Sequence, residues 1–363
     1  MKNNSLDDIV KCNIDISSPI SNDESFGNIL VIVPEPKTEG ETPITTAVQI
    51  SKVEELKEYG YKEDEDAYIA IGVAFSQNPA PAHLYVCVRK ESEETYEDLA
   101  TTLERAGSEC GFYGFCLVGF SDAADVQAAA KWAEGHEKLF GFSYTDIDSC
   151  PVSEKTYYRT FGVFSGKADG YEEDEQPKEN QFAALGLMAK CFGYDPGSET
   201  WHLKEIAGVV PSALSDKEKA DLEKACINKY LTYAGSDVTI GGMVLAGEWI
   251  DVIRFRDWLK DEMQKRVFRV MKSNRKVPFQ DTGIGLIEGA MEATLLEGQT
   301  VGGIYPSEYD DDGNEIPGYT VKVPRAADFT ETQRKSRKAT GFRYSAKLAG
   351  AIHLVEIEGY LTF

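Results

Sequence analysis

Between residues 66 and 164 the apolar spacing switches back and forth between a helical and a strand pattern, and this alternation limits the possible folds more than any other feature of the chain. Ala67, Ile71, Ala74 and Phe75 recur at helical spacing, and Asn78-Pro79-Ala80-Pro81 ends that helix. Residues 84–88 read as a strand. Residues 92–106 read as a helix with Tyr96, Leu99, Leu103 and Ala106 on one face. Residues 112–118 form the next strand, and Asp122 caps a helix to about residue 133. Residues 139–144 and 157–164 complete the series as strands. Upstream, Phe26-Gly27-Asn28-Ile29-Leu30-Val31-Ile32-Val33 is a continuous apolar run, the pattern of a strand buried on both faces. A β-α-β-α-β order predicts an α/β fold (mixed α+β), a sheet covered by helices with right-handed crossovers where strands are parallel.

The remainder is less regular. Residues 167–180 are acidic and read as an exposed loop, followed by a helix over about 180–191. Ser215-Asp216-Lys217-Glu218 is a capping box that opens a helix to about residue 228. Residues 238–240 and 243–245 suggest a hairpin around Gly241-Gly242. The longest helical signal covers 248–271, with Phe255, Leu259, Met263, Val267 and Val270 at steps of three or four, and a second helix spans about 281–296. Ile304-Tyr305 and residues 319–323 suggest strands around the loop Asp310-Asp311-Asp312-Gly313-Asn314.

At 363 residues, 42% hydrophobic and 11% aromatic, the chain is expected to fold into two or three globular domains. No apolar run is long enough to span a membrane, and residues 1–8 lack a signal-peptide core, so a cytoplasmic start is expected. Seven scattered cysteines without a C-x-x-C pair suit reduced thiols. A net charge of −23 argues against a nucleic-acid partner. The charge is uneven. Residues 1–253 hold 21 Lys/Arg against 45 Asp/Glu, and residues 254–347 hold 17 against 14. Either these are two solvated surfaces, or the acidic part of one copy steers onto a less acidic part of another.

No catalytic or metal motif emerges. His83, His136, His202 and His353 share no helix face and no ligand spacing. Asp310–Asp312 resemble a calcium loop, but Tyr319 stands where a bidentate Glu is needed, so a hairpin loop is expected. Gly283-Ile284-Gly285-Leu286-Ile287-Glu288-Gly289 does not follow a strand and is read as close helix packing rather than a phosphate cradle. Cys110 and Cys116 read as core thiols, and no cofactor is expected. Arg334-Lys335-Ser336-Arg337-Lys338 is a basic cluster, a solvated face or a contact with an acidic partner. Both ends are amphipathic strands. Val10, Cys12, Ile14 and Ile16 alternate with polar residues, and the last residues carry Ile352, Leu354, Val355, Ile357 and Leu361. Such strands either join their own sheet or add to a neighbour's.

Several of these segments together resemble the contractile-tail sheath proteins of phages and phage-like particles. They are the 9–16 strand followed by Phe26-Gly27, the 67–81 helix and stop, and, most specifically, Ala246-Gly247-Glu248-Trp249-Ile250-Asp251-Val252-Ile253-Arg254, Asp257-Trp258-Leu259, Lys276-Val277-Pro278-Phe279-Gln280-Asp281-Thr282-Gly283 and Ala349-Gly350-Ala351-Ile352-His353. The resemblance implies a structural subunit without an active site. It would form stacked hexameric rings around a tail tube and contract to drive the tube through an envelope, with baseplate and tail-terminator proteins as further partners and no membrane insertion. The subunit would be made in a bacterial cytoplasm and function in the particle's tail, whether a virion or a headless particle. It also implies an N-terminal arm over residues 1–20, an inner core of 21–62 plus 200–348, an outer α/β domain of 63–199 and a C-terminal arm of 349–363. The arms would add strands to a small sheet of neighbouring subunits. The basic residues Arg254, Lys265, Arg269, Arg334, Lys335, Arg337 and Lys338 become candidates for contact with the tube or another subunit. The alternative, an α/β nucleotide- or small-molecule-binding enzyme, rests on the β-α-β alternation alone.

Overall fold

A computed structural model describes residues 26–38, 40, 43–92, 95–152, 154–172 and 175–359. Its chain divides into two compact units, Met1–Ser273 and Asn274–Phe363.

The first unit is built on eight strands in one sheet. Strands β1 (Ile29–Val33), β2 (Val48–Ile50) and β3 (Leu84–Val88) flank helix α1 (Asp66–Phe75) in sequence. A short ladder, β4 (Glu91–Ser92) with β5 (Thr95–Tyr96), precedes α2 (Leu99–Glu109), β6 (Gly114–Leu117), α3 (Ala123–His136), β7 (Leu139–Tyr144) and β8 (Thr160–Phe164). Then come α4 (Ala183–Phe192), α5 (Asp216–Lys224), β9 (Asn228–Tyr233), β10 (Ser236–Ile240) and α6 (Ile250–Ser273). The sheet order is β10-β9-β8-β7-β6-β1-β3-β2. Its centre is parallel, and only the two edge strands, β2 and β10, run antiparallel to their neighbours.

Both faces of this sheet are covered, which is why its central strands are apolar throughout. Ile29, Val31 and Val33 of β1 face one cluster with Ala70, Ile71 and Ala74 of α1, Leu187 and Met188 of α4, and Ile250 and Ile253 of α6. Leu30 and Ile32 face the other cluster with Leu103 and Ala106 of α2, Ala129 and Ala133 of α3, and Leu222 of α5. α4 sits close to the sheet because Gly114 stands under it. A Cβ at Gly114 would lie 2.5 Å from the Met188 sulfur. The Asp122 cap of α3 and the Ser215–Glu218 capping box of α5 both form as expected.

Several local expectations are corrected. The helix expected from residue 92 begins at Leu99, because Glu91 and Ser92 pair with Tyr96 and Thr95 as a short ladder instead. β10 pairs with β9 across the Ala234-Gly235 turn, so the hairpin expected around Gly241-Gly242 does not form. Met243 makes an isolated bridge to Trp249 in its place. The aromatic and β-branched strand β9 (NKYLTY) lay at the end of a region expected to be helical. The sheet takes strands from residues 29–50, 84–164 and 228–240 alike.

The second unit contains α7 (Asp281–Thr300), β11 (Glu308–Tyr309), β12 (Glu315–Ile316), β13 (Tyr319–Lys322), α8 (Glu331–Ser336) and β14 (Arg343–Ala346). β11 pairs with β12 around the Asp310–Asn314 loop, and β13 pairs with β14. The partner expected for residues 319–323 was Ile304-Tyr305, but Ile304 makes an isolated bridge to Leu348. α7 packs against β13. Phe279 meets Phe329 edge-on at 5.3 Å, and Asp281 accepts the Ala326 N–H at 2.7 Å, which pins the 276–283 turn inside the unit. A Cβ at Gly283 would clash with the Pro278 carbonyl, whereas Gly285 and Gly289 have open space around them. Of the three glycines expected to serve close packing, only Gly283 does so. Among the described residues, no helix is long and apolar enough to cross a membrane.

Candidate assembly surfaces

Folding normally removes Ile, Leu and Val from water, at roughly 1.5–3 kcal/mol for each side chain fully buried. The segment 349–359 runs against that rule. It forms neither helix nor strand, and Ile352 and Ile357 are 83% and 88% exposed, with Leu354 and Val355 also exposed. Its start is tethered, since the Ala349 N–H donates to the Gly303 carbonyl at 3.1 Å. The other expected arm residues, Val10, Cys12, Ile14, Ile16 and Leu361, lie outside the described residues.

The β13–β14 pair is the natural counterpart to such a segment. A two-stranded ladder leaves a row of backbone donors and acceptors on each outer edge, and alone it is marginal in water. Among the described residues neither outer edge is paired with another strand. Its side chains alternate, with Tyr319, Val321, Tyr344 and Ala346 half-buried and Thr320, Lys322, Arg343 and Ser345 exposed. The sheet can therefore grow sideways without losing its buried face.

The basic candidates separate sharply. Arg254 is not at the surface: it is 1% exposed, and its guanidinium lies 2.5 Å from the Glu199 carboxylate, whose side chain is fully buried. It also donates to the carbonyls of Phe26 at 3.0 Å, Cys191 at 3.2 Å and Tyr194 at 2.9 Å. The Cys191 carbonyl lies in the last turn of α4, where backbone acceptors lack intrahelical donors. A tube or subunit contact through Arg254 is thus excluded in this fold. Lys265 is half-buried and pairs with Asp261 at 2.9 Å. Arg334 donates to the carbonyls of Phe279 and Ala326, tying its own unit together. Lys335 pairs with Glu331 at 2.7 Å on an exposed surface. Arg269, Arg337 and Lys338 are exposed and remain free to meet a partner.

A second buried charge centre has no counterpart among the motifs of the sequence. Asp257 of α6 accepts two bonds from Arg159, at 2.6 and 3.1 Å, two from Arg256, at 2.8 and 3.1 Å, and one from the Tyr113 hydroxyl at 2.8 Å. Burial alone would raise its pKa, but the two guanidiniums outweigh that and hold the carboxyl below its usual value. The only available signal was an acid at a helix position among apolar residues, which is common on solvated faces too. No group of residues suited to a metal ion occurs among the described residues. The Asp310 carboxylate, suspected of a calcium role, accepts the N–H groups of Asp312 and Asn314 and so closes its own turn.

Asp251, in the first turn of α6, has a buried oxygen without a hydrogen-bond partner. Burial, then the nearby Glu199 and Glu248 charges, push its pKa up to about 6. A carboxyl with a raised folded pKa favours folding most below its unfolded value near 4, and that contribution fades as pH rises to 6. Asp251→Asn is therefore expected to raise stability near pH 7.5 by about 1–2 kcal/mol, after discounting for partial solvation, and to flatten the profile between pH 4 and 6. Urea midpoints measured across that range check this. An unchanged slope in the variant would assign the titration to another group.

Comparison with known proteins agrees with this architecture. Residues 250–360 match the family model "E217 tail sheath protein gp31-like, C-terminal domain". That span runs from α6 through both small sheets into the exposed segment. No curated protein matches the chain. Among solved structures, the anti-feeding prophage helical sheath in its contracted state aligns with a TM-score of 0.68 at 12% identity, covering 97% of this chain and 98% of that one. The sheath complex of the extracellular contractile injection system PVC, also contracted, aligns at 0.64 and 12% identity, covering 97% and 96%. The sheath tail protein Lin1278 from Listeria innocua aligns at 0.54 and 11% identity, covering 81% and 88%. At these identities the likeness establishes a shared fold, and the proteins matched are structural rather than enzymes. The α/β-enzyme alternative gains no support. By its fold over nearly the whole chain and by the sequence of its C-terminal third, the protein is sheath-like, the first through solved contractile sheaths and the second through a tail sheath domain.

Proposed function

We propose that this protein is the sheath subunit of a contractile tail. Copies polymerise as stacked hexameric rings around a tail tube, and contraction drives the tube through a target envelope. Exposure of Ile352, Leu354, Val355 and Ile357, in no strand among the described residues, together with an open two-stranded sheet supports this reading best. The C-terminal segment of one copy adds to an outer edge of β13–β14 in a neighbour. The N-terminal strand with Val10, Cys12, Ile14 and Ile16 adds in the same way. Each backbone bond contributes roughly 0.5–1.5 kcal/mol net, so a strand of about six residues makes a joint that survives rotation of the bodies it links. Work comes from the difference in contact free energy between two packings. Residues 21–62 with 200–348 face the tube, 63–199 face outward, and Arg269, Arg337 and Lys338 are the remaining candidates for tube contact. The tube protein, baseplate and tail terminator complete the set of partners, and assembly takes place in the host cytoplasm.

Electron microscopy of the full chain beside a chain lacking residues 349–363 tests this. Striated hollow tubes from the first and only monomers from the second are expected. Monomers from both, at high concentration and with tube protein present, would remove self-assembly as the function.

A further inference from the structure

The two small sheets of the second unit carry opposite charges that are not neutralised among the described residues. At the β11–β12 hairpin, Asp311, Asp312 and Glu315 are exposed, and none forms an ion pair among the described residues. Asp310 is occupied by its own turn, and Glu308 is engaged by Tyr305 at 2.8 Å and by Lys347 at 3.6 Å. Tyr309, 74% exposed, adds an apolar surface to the same hairpin.

On β13–β14 the register sets Lys322 directly opposite Arg343, and both belong to the exposed face. Like charges facing each other across a ladder destabilise it. Among the described residues no acid pairs with either. An acid supplied from outside would turn this unfavourable pair into a favourable site. Nucleic acid is a poor candidate, because the −23 net charge of the chain repels phosphate. A head-to-tail polymer, in contrast, needs two different and complementary patches on every copy, and this unit carries both.

We propose that the acidic β11–β12 hairpin of one copy docks on the Lys322–Arg343 pair of the next. The contact rests on the sheath reading but is separate from strand exchange, since it uses the exposed side-chain face of β13–β14 and not its backbone edges.

Charge reversal and charge swap test it. One variant carries Asp311→Lys, Asp312→Lys and Glu315→Lys, a second carries Lys322→Glu and Arg343→Glu, and a third carries all five. Sedimentation gives the concentration at which each begins to polymerise, and melting temperature checks folding. Each single reversal is expected to raise that concentration at least about tenfold at low salt, with the effect shrinking as salt rises. The five-fold variant is expected to return to within about threefold of the original chain. If the Lys322/Arg343 variant alone fails and the swap does not restore it, that face meets something else, such as the tube, and the proposal is wrong. If all variants polymerise like the original chain, the contact is absent while the sheath reading stands. If the original chain never polymerises, the sheath reading falls and the contact falls with it.

Discussion

Arg254→Met is expected to lower the stability of the first unit by about 3–5 kcal/mol, a large part of the roughly 5–15 kcal/mol that holds a domain folded. The loss has two sources. Glu199 would keep a buried charge beside the Gly197 N–H, at 3.0 Å, without the guanidinium that now neutralises it. The carbonyls of Phe26, Cys191 and Tyr194 would lose a donor where water does not easily replace it. The methionine side chain still fills space beside the Phe192 ring, over which the guanidinium now sits at 4.8 Å, so lost packing is a minor part. Adding Glu199→Gln removes the uncompensated charge and is expected to recover about half of the deficit. Urea unfolding of the single and double variants measures both terms. A single variant within about 1 kcal/mol of the original protein would show that the ion pair, once desolvation is counted, contributes little.

The second large effect is expected at Asp257. Asp257→Asn keeps the shape but leaves the buried Arg159 and the half-buried Arg256 as neighbours of like charge, with one acceptor oxygen in place of a carboxylate. A loss of about 3 kcal/mol or more follows. Tyr113→Phe removes only the hydroxyl bond at 2.8 Å and is expected to cost about 1–2 kcal/mol. The pH dependence provides a further check. The Asp257 pKa is held below its ordinary value, so its contribution is present above about pH 4 and is lost as pH falls below that. This is the opposite slope to that of Asp251, and the two variants should tilt the stability profile in opposite directions. An Asp257→Asn variant with an unaltered acid limb would mean that the cluster is held by packing rather than by charge.

Much of the first unit could be read from the chain. Continuous apolar runs such as Ile29–Val33 and Leu84–Val88 have to be buried on both faces, and helical spacing in between supplies the cover, so an α/β layer structure followed from solvation alone. Capping boxes and proline stops act within a few residues, and they worked where they were read. Ile352, Leu354, Val355 and Ile357 read as part of an amphipathic strand, and the structure leaves them exposed and outside any strand.

What escaped the sequence depended on partners distant along the chain. β2 and β14 are short, and their pairing energy comes from strands elsewhere, so propensity within the segment could not distinguish them from turns. Arg254 read as a surface cation because charge normally stays in water. Only the tertiary structure brings Glu199 and the carbonyls of Phe26, Cys191 and Tyr194 around it, from up to 228 residues away, and so makes its burial tolerable. The opposition of Lys322 and Arg343 likewise exists only in the strand register. Local sequence sets which segments are helix or strand and which side chains seek burial. Which strands pair, and which charges meet, is decided by the fold, because those energies belong to two distant segments at once.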